Sequence, residues 1–145
     1  YHQELRALVQ ELWLEERVVF RGEVTDEELV QEYREADIFL ALNHRKSGGY
    51  AWGLSVFEAM SVGTPAVLNR AAGAAEVLTD RAQVILTNPM DPESVAAGVR
   101  FLADDPELYQ RISMAGSEFV RKNISWANYA EHMLELFRKF VARTQ

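Results

Sequence analysis

The sequence predicts an α/β domain, a parallel sheet with helices on both faces, and three observations predict it. Short apolar runs alternate with segments of helical periodicity along the chain, the pattern of a parallel sheet built from crossover units. The run Ile38-Phe39-Leu40-Ala41-Leu42 is apolar throughout, as a parallel strand covered on both faces should be. Between it and a second such run, Ala66-Val67-Leu68, lies Gly48 to Pro65, reading GGYAWGLSVFEAMSVGTP, which is a glycine-rich turn followed by a short helix. With 145 residues and no repeat or linker, Tyr1 to Gln145 is read as one domain.

Taken in order, Leu5, Leu8, Val9 and Leu12 recur at helical offsets, so the chain opens in an amphipathic helix. Arg17-Val18-Val19-Phe20-Arg21, closed by Gly22, reads as a first strand. Thr25 followed by Glu28 is a capping box that opens a helix burying Leu29, Val30 and Tyr33. Ile38 to Leu42 is the second strand, Leu54 to Val62 a helix ended by Gly63, and Ala66 to Leu68 the third strand. Gly73-Ala74-Ala75-Glu76-Val77-Leu78 reads as a tight turn into a short helix, and Gln83 to Leu86 as a fourth, weaker strand. Asp91-Pro92 and Asp105-Pro106 each pair an N-cap with proline at the first helical position. Val95, Val99 and Leu102 form the buried stripe of the first of these helices, and Ile112, Gly116, Phe119 and Val120 that of the second. Ser125 caps a last helix with Tyr129, Met133, Leu136, Phe137 and Phe140 on one side.

Composition excludes several classes. The absence of cysteine rules out disulfides, thiolate metal sites and cysteine nucleophiles together. Fifteen basic against twenty-two acidic residues give a formal charge of −7, which argues against a nucleic-acid partner. His2, His44 and His132 have no metal-ligand spacing. No apolar run approaches the length that spans a bilayer. No secretory signal opens the sequence, so the cytoplasm is the default location, including the periphery of a membrane, although a domain excised from a precursor would look the same.

The chemistry concentrates in the central unit. The turn after a parallel strand leaves backbone N–H groups at the start of the next helix, where the helix dipole also favours negative charge, so a phosphate can be held there. Gly53 has no side chain to block a ligand and tolerates positive φ. Tyr50-Ala51-Trp52-Gly53-Leu54, three residues more, Glu58-Ala59-Met60 and then Gly63-Thr64-Pro65 resemble the signature of the group 1 nucleotide-sugar-dependent glycosyltransferases. These are the retaining GT-B enzymes that include glycogen synthase and bacterial mannosyl- and glucosyltransferases, and the resemblance is to their C-terminal, donor-binding Rossmann-like domain. It continues through Phe20-x-Gly22, Ala36-Asp37-Ile38, Gly73-x-x-Glu76-Val77, Asp91-Pro92-Glu93 and Ser125-Trp126.

The resemblance implies that Glu58 binds the ribose hydroxyls of a nucleoside-diphosphate sugar, a task suited to a carboxylate because it accepts two hydrogen bonds from a vicinal diol. The plain alternative is a solvated glutamate on a short helix. Ala51, Trp52, Gly53, Leu54 and Ser55 would contact the donor phosphates and sugar, with Trp52 equally readable as a packed loop aromatic. Gly22, His44, Arg45 and Gly73 are candidate donor-loop contacts, though a lone loop histidine is more often a surface residue. The family's first catalytic glutamate falls on Tyr50, a phenol that stays neutral at physiological pH. Either the sugar is held differently, or transfer activity has been lost.

The family's domain begins with a strand, helix and strand that have no counterpart here, nor do the arginine and lysine that neutralise the donor pyrophosphate. Arg45 and Lys46 match no family residue. In the strand order 3-2-1-4-5-6 the missing strands would lie between those at Val18 and Ile38. The expectation is therefore a partial domain whose sheet is repaired by rearrangement, or completed by a homo-oligomer. The N-terminal acceptor domain is also absent, so residues 1–145 alone are expected to lack turnover. No cofactor or metal is implied. Two other readings remain: a non-catalytic nucleotide-sugar-binding or assembly module, and a GT-B sugar-nucleotide epimerase. The base, sugar and acceptor are not specified.

Overall fold

The structure, a computed structural model, describes residues 2–42 and 53–143. Along the chain come α1 (His2–Glu11), α2 (Asp26–Glu35), β1 (Phe39–Ala41), α3 (Leu54–Ser61), β2 (Ala66–Asn69), a 3-10 turn (Gly73–Glu76), β3 (Ile85–Thr87), α4 (Pro92–Ala103), α5 (Pro106–Asn123) and α6 (Trp126–Arg143). The strands form one parallel sheet in the order β1-β2-β3, with Leu40 opposite Val67 and Leu68 opposite Leu86. Every residue of the central strand β2 is buried.

Because successive strand residues point to opposite faces, β2 seeds two cores. Ala66 and Leu68 join Val56, Phe57 and Met60 of α3 and Val120 of α5 on one face. Val67 joins Ile85, Leu102 of α4, and Leu108 and Ile112 of α5 on the other. Each such large side chain stabilises the fold by about 1.5–3 kcal/mol relative to leaving it in water. α4 lies so close to the sheet that a Cβ on Gly98 would stand 2.6 Å from the Thr87 Cγ2 atom. The Tyr109 hydroxyl donates to the Asp37 carbonyl at 2.8 Å, fastening α5 to the approach to β1.

The helix boundaries follow their local signals. Thr25 and Glu28 form the reciprocal capping box, and Asp91 and Asp105 cap helices that begin with proline. The Ser125 hydroxyl accepts from the Asn128 amide at 3.1 Å. Gly63 follows α3 at φ +94, the left-handed conformation its position calls for.

Several expectations need correction, and Val30, expected in the core, is 38% exposed. Residues 17–21 are not a strand: the Arg17 and Val18 amides bond back to the Leu14 carbonyl, and the Phe20 ring packs edge-on against His2 with Arg6 above it. A strand needs a neighbour to complete its ladder, and among the described residues this run has found a local partner in α1 instead. The sheet is accordingly three contiguous strands, and β1 is an edge strand whose Leu40 is 46% exposed rather than buried. The short helix after β2 is a single 3-10 turn, and the last strand lies slightly later than read, at Ile85–Thr87. Of the apolar stripe of α6, Tyr129, Leu136, Phe137 and Phe140 face outward, Phe140 being 70% exposed, while Met133 is half-buried; periodicity identifies an apolar face but not what covers it.

Candidate functional site

The site is built around α3. Val56, Phe57, Ala59 and Met60 are buried against the sheet and α5, and this packing fixes the helix in place. Leu54 and Glu58, one turn apart, share the exposed face. Gly53 is the N-cap, at φ +83 in the left-handed region, and it offers no capping side chain. Its carbonyl accepts from the Val56 amide at 2.9 Å, closing the first turn. A Cβ at Gly53 would meet the Ala74 Cβ at 3.3 Å, so the start of α3 and the Gly73–Glu76 turn lie against each other. The structure thus brings Gly53, Leu54, Ser55 and Gly73 together where the sheet's first crossover helix begins.

Glu58 stands further along the exposed face of the same helix. Its Oε2 atom accepts a hydrogen bond of 3.1 Å from the Tyr33 hydroxyl, which reaches across from α2. Tyr33 is itself buried, with its ring edge-on to Phe39 at 5.5 Å between centroids. Its carbonyl accepts from the Thr64 hydroxyl at 2.5 Å. Burial above all, then the hydrogen bond and charge of Glu58, push the Tyr33 phenol up to about 12. It is therefore a neutral donor across the physiological range.

Sequence reasoning placed Tyr33 in the core and missed its polar tip. The signal was present, since a buried tyrosine hydroxyl requires a partner. Arg70, directly after β2, is a second polar group that no sequence motif marks. Its guanidinium donates to the Asp80 carboxylate at 3.2 Å and the Leu86 carbonyl at 3.0 Å. Gly22 has φ +71 and open space where a Cβ would stand. Tyr50, Ala51, Trp52, His44, Arg45 and Lys46 lie outside the described residues.

An open parallel sheet with a crossover helix that starts at a bare glycine and carries an outward carboxylate defines a Rossmann-like domain, a class that receives ligands at the carboxyl ends of its strands. Within that class the chain belongs to the glycosyl transferases group 1 family, which it matches over residues 1–119. It is 29% identical over 133 residues to the mannosylfructose-phosphate synthase of Agrobacterium fabrum, covering 92% of this chain and 28% of that protein. Among solved structures it superimposes on sucrose-phosphate synthase from Thermosynechococcus elongatus with a TM-score of 0.81 and 26% identity, over 97% of this chain and 34% of that one. The C-terminal domain of the group 1 glycosyl transferase LpcC from Francisella tularensis shares the fold, with a TM-score of 0.75 and 24% identity over 86% of this chain and 63% of that one. The chain therefore has the fold of the family's C-terminal domain and spans about a third of the two synthases.

Proposed function

We propose that this domain holds the donor, a nucleoside-diphosphate sugar, for a glycosyltransferase that passes the sugar to an acceptor with retention at the anomeric carbon. The observation that carries this reading is the outward face of α3. A glycine N-cap gives the first-turn amides no capping side chain of its own, and a glutamate follows on the same face. Amides at a helix start suit a diphosphate, and a carboxylate suits the paired hydroxyls of a ribose. Family membership supports the reading, as do the names of the two synthases, each of which makes a sugar phosphate. Turnover is proposed for the whole transferase, with an acceptor domain beside this one, and not for residues 1–145 by themselves. Among the described residues no helix is long and apolar enough to cross a membrane.

Calorimetry on the full-length protein with UDP, GDP and ADP tests the proposal. One of these ribonucleoside diphosphates is expected to bind. Glu58→Gln should weaken that binding roughly tenfold or more, because hydrogen bonds to a charged acceptor are among the stronger ones. Its effect on stability should stay at about 1 kcal/mol or below, because the glutamine carbonyl oxygen still accepts from the Tyr33 hydroxyl, as a weaker neutral bond. Unchanged affinity in Glu58→Gln would remove the carboxylate from the donor site.

A further inference from the structure

We infer that Tyr33 is a positioning residue that holds the Glu58 carboxylate in the orientation needed for the donor ribose. The inference rests on the donor-binding reading of Glu58 and adds to it a residue from another part of the chain. Tyr33 lies 25 positions before Glu58 and on a different helix.

Three contacts fix Tyr33, from the loop after α3, from β1 and from α3 itself. The Thr64 hydroxyl donates to its carbonyl, the Phe39 ring of β1 stands edge-on to its own ring, and its hydroxyl donates to Glu58 Oε2. Thr64 follows the turn that ends α3, where its amide bonds to the Ala59 carbonyl at 3.1 Å. A closed circuit results: from Glu58 along α3 to Thr64, across to Tyr33, and back through the phenol to Glu58. An exposed glutamate without such a tether samples several rotamers, and ordering it on ligand binding costs affinity. With Oε2 engaged by a fixed phenol, that ordering is complete before a ligand arrives. A vicinal diol is then met by Oε1 together with the remaining lone pair of Oε2. The neutrality of the phenol matters, because a phenolate would repel the carboxylate instead of donating to it.

The same bond would also form if Tyr33 merely fastened α2 to α3, so the test must read the carboxylate and not the fold. The readout is the preference of the full-length protein for its tightest ribonucleoside diphosphate over the deoxyribonucleoside diphosphate of the same base, measured by calorimetry. The wild type should favour the ribose form at least tenfold, and Glu58→Gln should abolish most of that preference. Tyr33→Phe, which keeps the ring packing, should lower it about threefold to tenfold, the usual worth of one hydrogen bond. In the Glu58→Gln background the same Tyr33→Phe change should have no further effect, because the residue acts through the carboxylate.

If Glu58→Gln leaves the ribose preference intact, the donor-binding reading of Glu58 fails and the inference falls with it. If Glu58→Gln abolishes the preference but Tyr33→Phe leaves it unchanged, the reading stands and only the positioning role is overturned. Equal effects of Tyr33→Phe with and without Glu58 would likewise overturn it. Should Tyr33→Phe fail to fold, Thr64→Val tests the same circuit, with Thr64→Ser expected to restore the wild-type preference. A Thr64→Val protein with undiminished preference counts against the circuit.

Discussion

Helix starts in this molecule are of two kinds. α2, α4 and α5 begin at Thr25, Asp91 and Asp105, whose side chains accept from the amides of Glu28, Glu93 and Leu108. The first-turn polarity of those helices is thereby used within the protein. α3 begins at Gly53, which has no side chain to give and sits at φ +83. Its inward face, with Val56, Phe57, Ala59 and Met60 buried, supplies the hold that a cap would otherwise add. The difference separates two duties: capped helices contribute to stability through their ends, whereas α3 is held by its packed side and its N-cap spends no side chain on the first-turn amides.

Gly53→Ala should break this division most strongly. A non-glycine residue in the left-handed region costs about 1–2 kcal/mol, and the added Cβ would press on the Ala74 Cβ at 3.3 Å. The expected result is a loss of roughly that size in urea unfolding, together with at least a tenfold loss of nucleoside-diphosphate affinity, because the first turn must shift. A destabilised variant with full affinity would show that the start of α3 does not touch the donor.

Asp105→Ala is the complementary variant. Removing the oxygen that accepts from the Leu108 amide at 2.9 Å should cost about 1 kcal/mol in the same unfolding experiment. Donor affinity should not change. An affinity loss there would mean that stability and binding are coupled across the domain, and the two kinds of helix start would no longer be distinct.

What was legible in the sequence follows the same line between local and distant causes. Thr25 with Glu28, Asp91 with Pro92, Asp105 with Pro106, and Ser125 specify helix starts through atoms a few residues apart, and each lies where it was read. Gly53 and Glu58 were legible as a spacing on one helix. The run from Arg17 to Arg21 has the β-branched composition of a strand, but that composition makes a strand only where another lies alongside. An apolar run does not say whether its strand is central or at an edge, so the exposure of Leu40 is not legible in it. Tyr33 was read as core because helical periodicity registers a ring and not the hydroxyl beyond it. Its acceptor lies on a helix that only the fold brings near.

The smallest predicted effect concerns that hydroxyl, and it shows whether the outward face of α3 is tethered as described. In the folded chain Tyr33 titrates at about 12, against an ordinary value near 10 once unfolded. The raised value means that folding favours the neutral phenol. Its stabilising contribution is therefore complete below about pH 10 and disappears as pH rises through about 12. Since the chain has five tyrosines, and burial also raises Tyr109, the measurement is a difference: phenolate absorbance during alkaline titration of the wild type minus that of Tyr33→Phe. The difference curve should have its midpoint near 12. In Glu58→Gln the midpoint should move down only part of the way towards 10, because burial outranks the carboxylate among the causes. A midpoint that does not move at all would mean that the phenol and the Glu58 carboxylate are not in contact in solution, leaving α3 with an outward face that nothing from α2 holds.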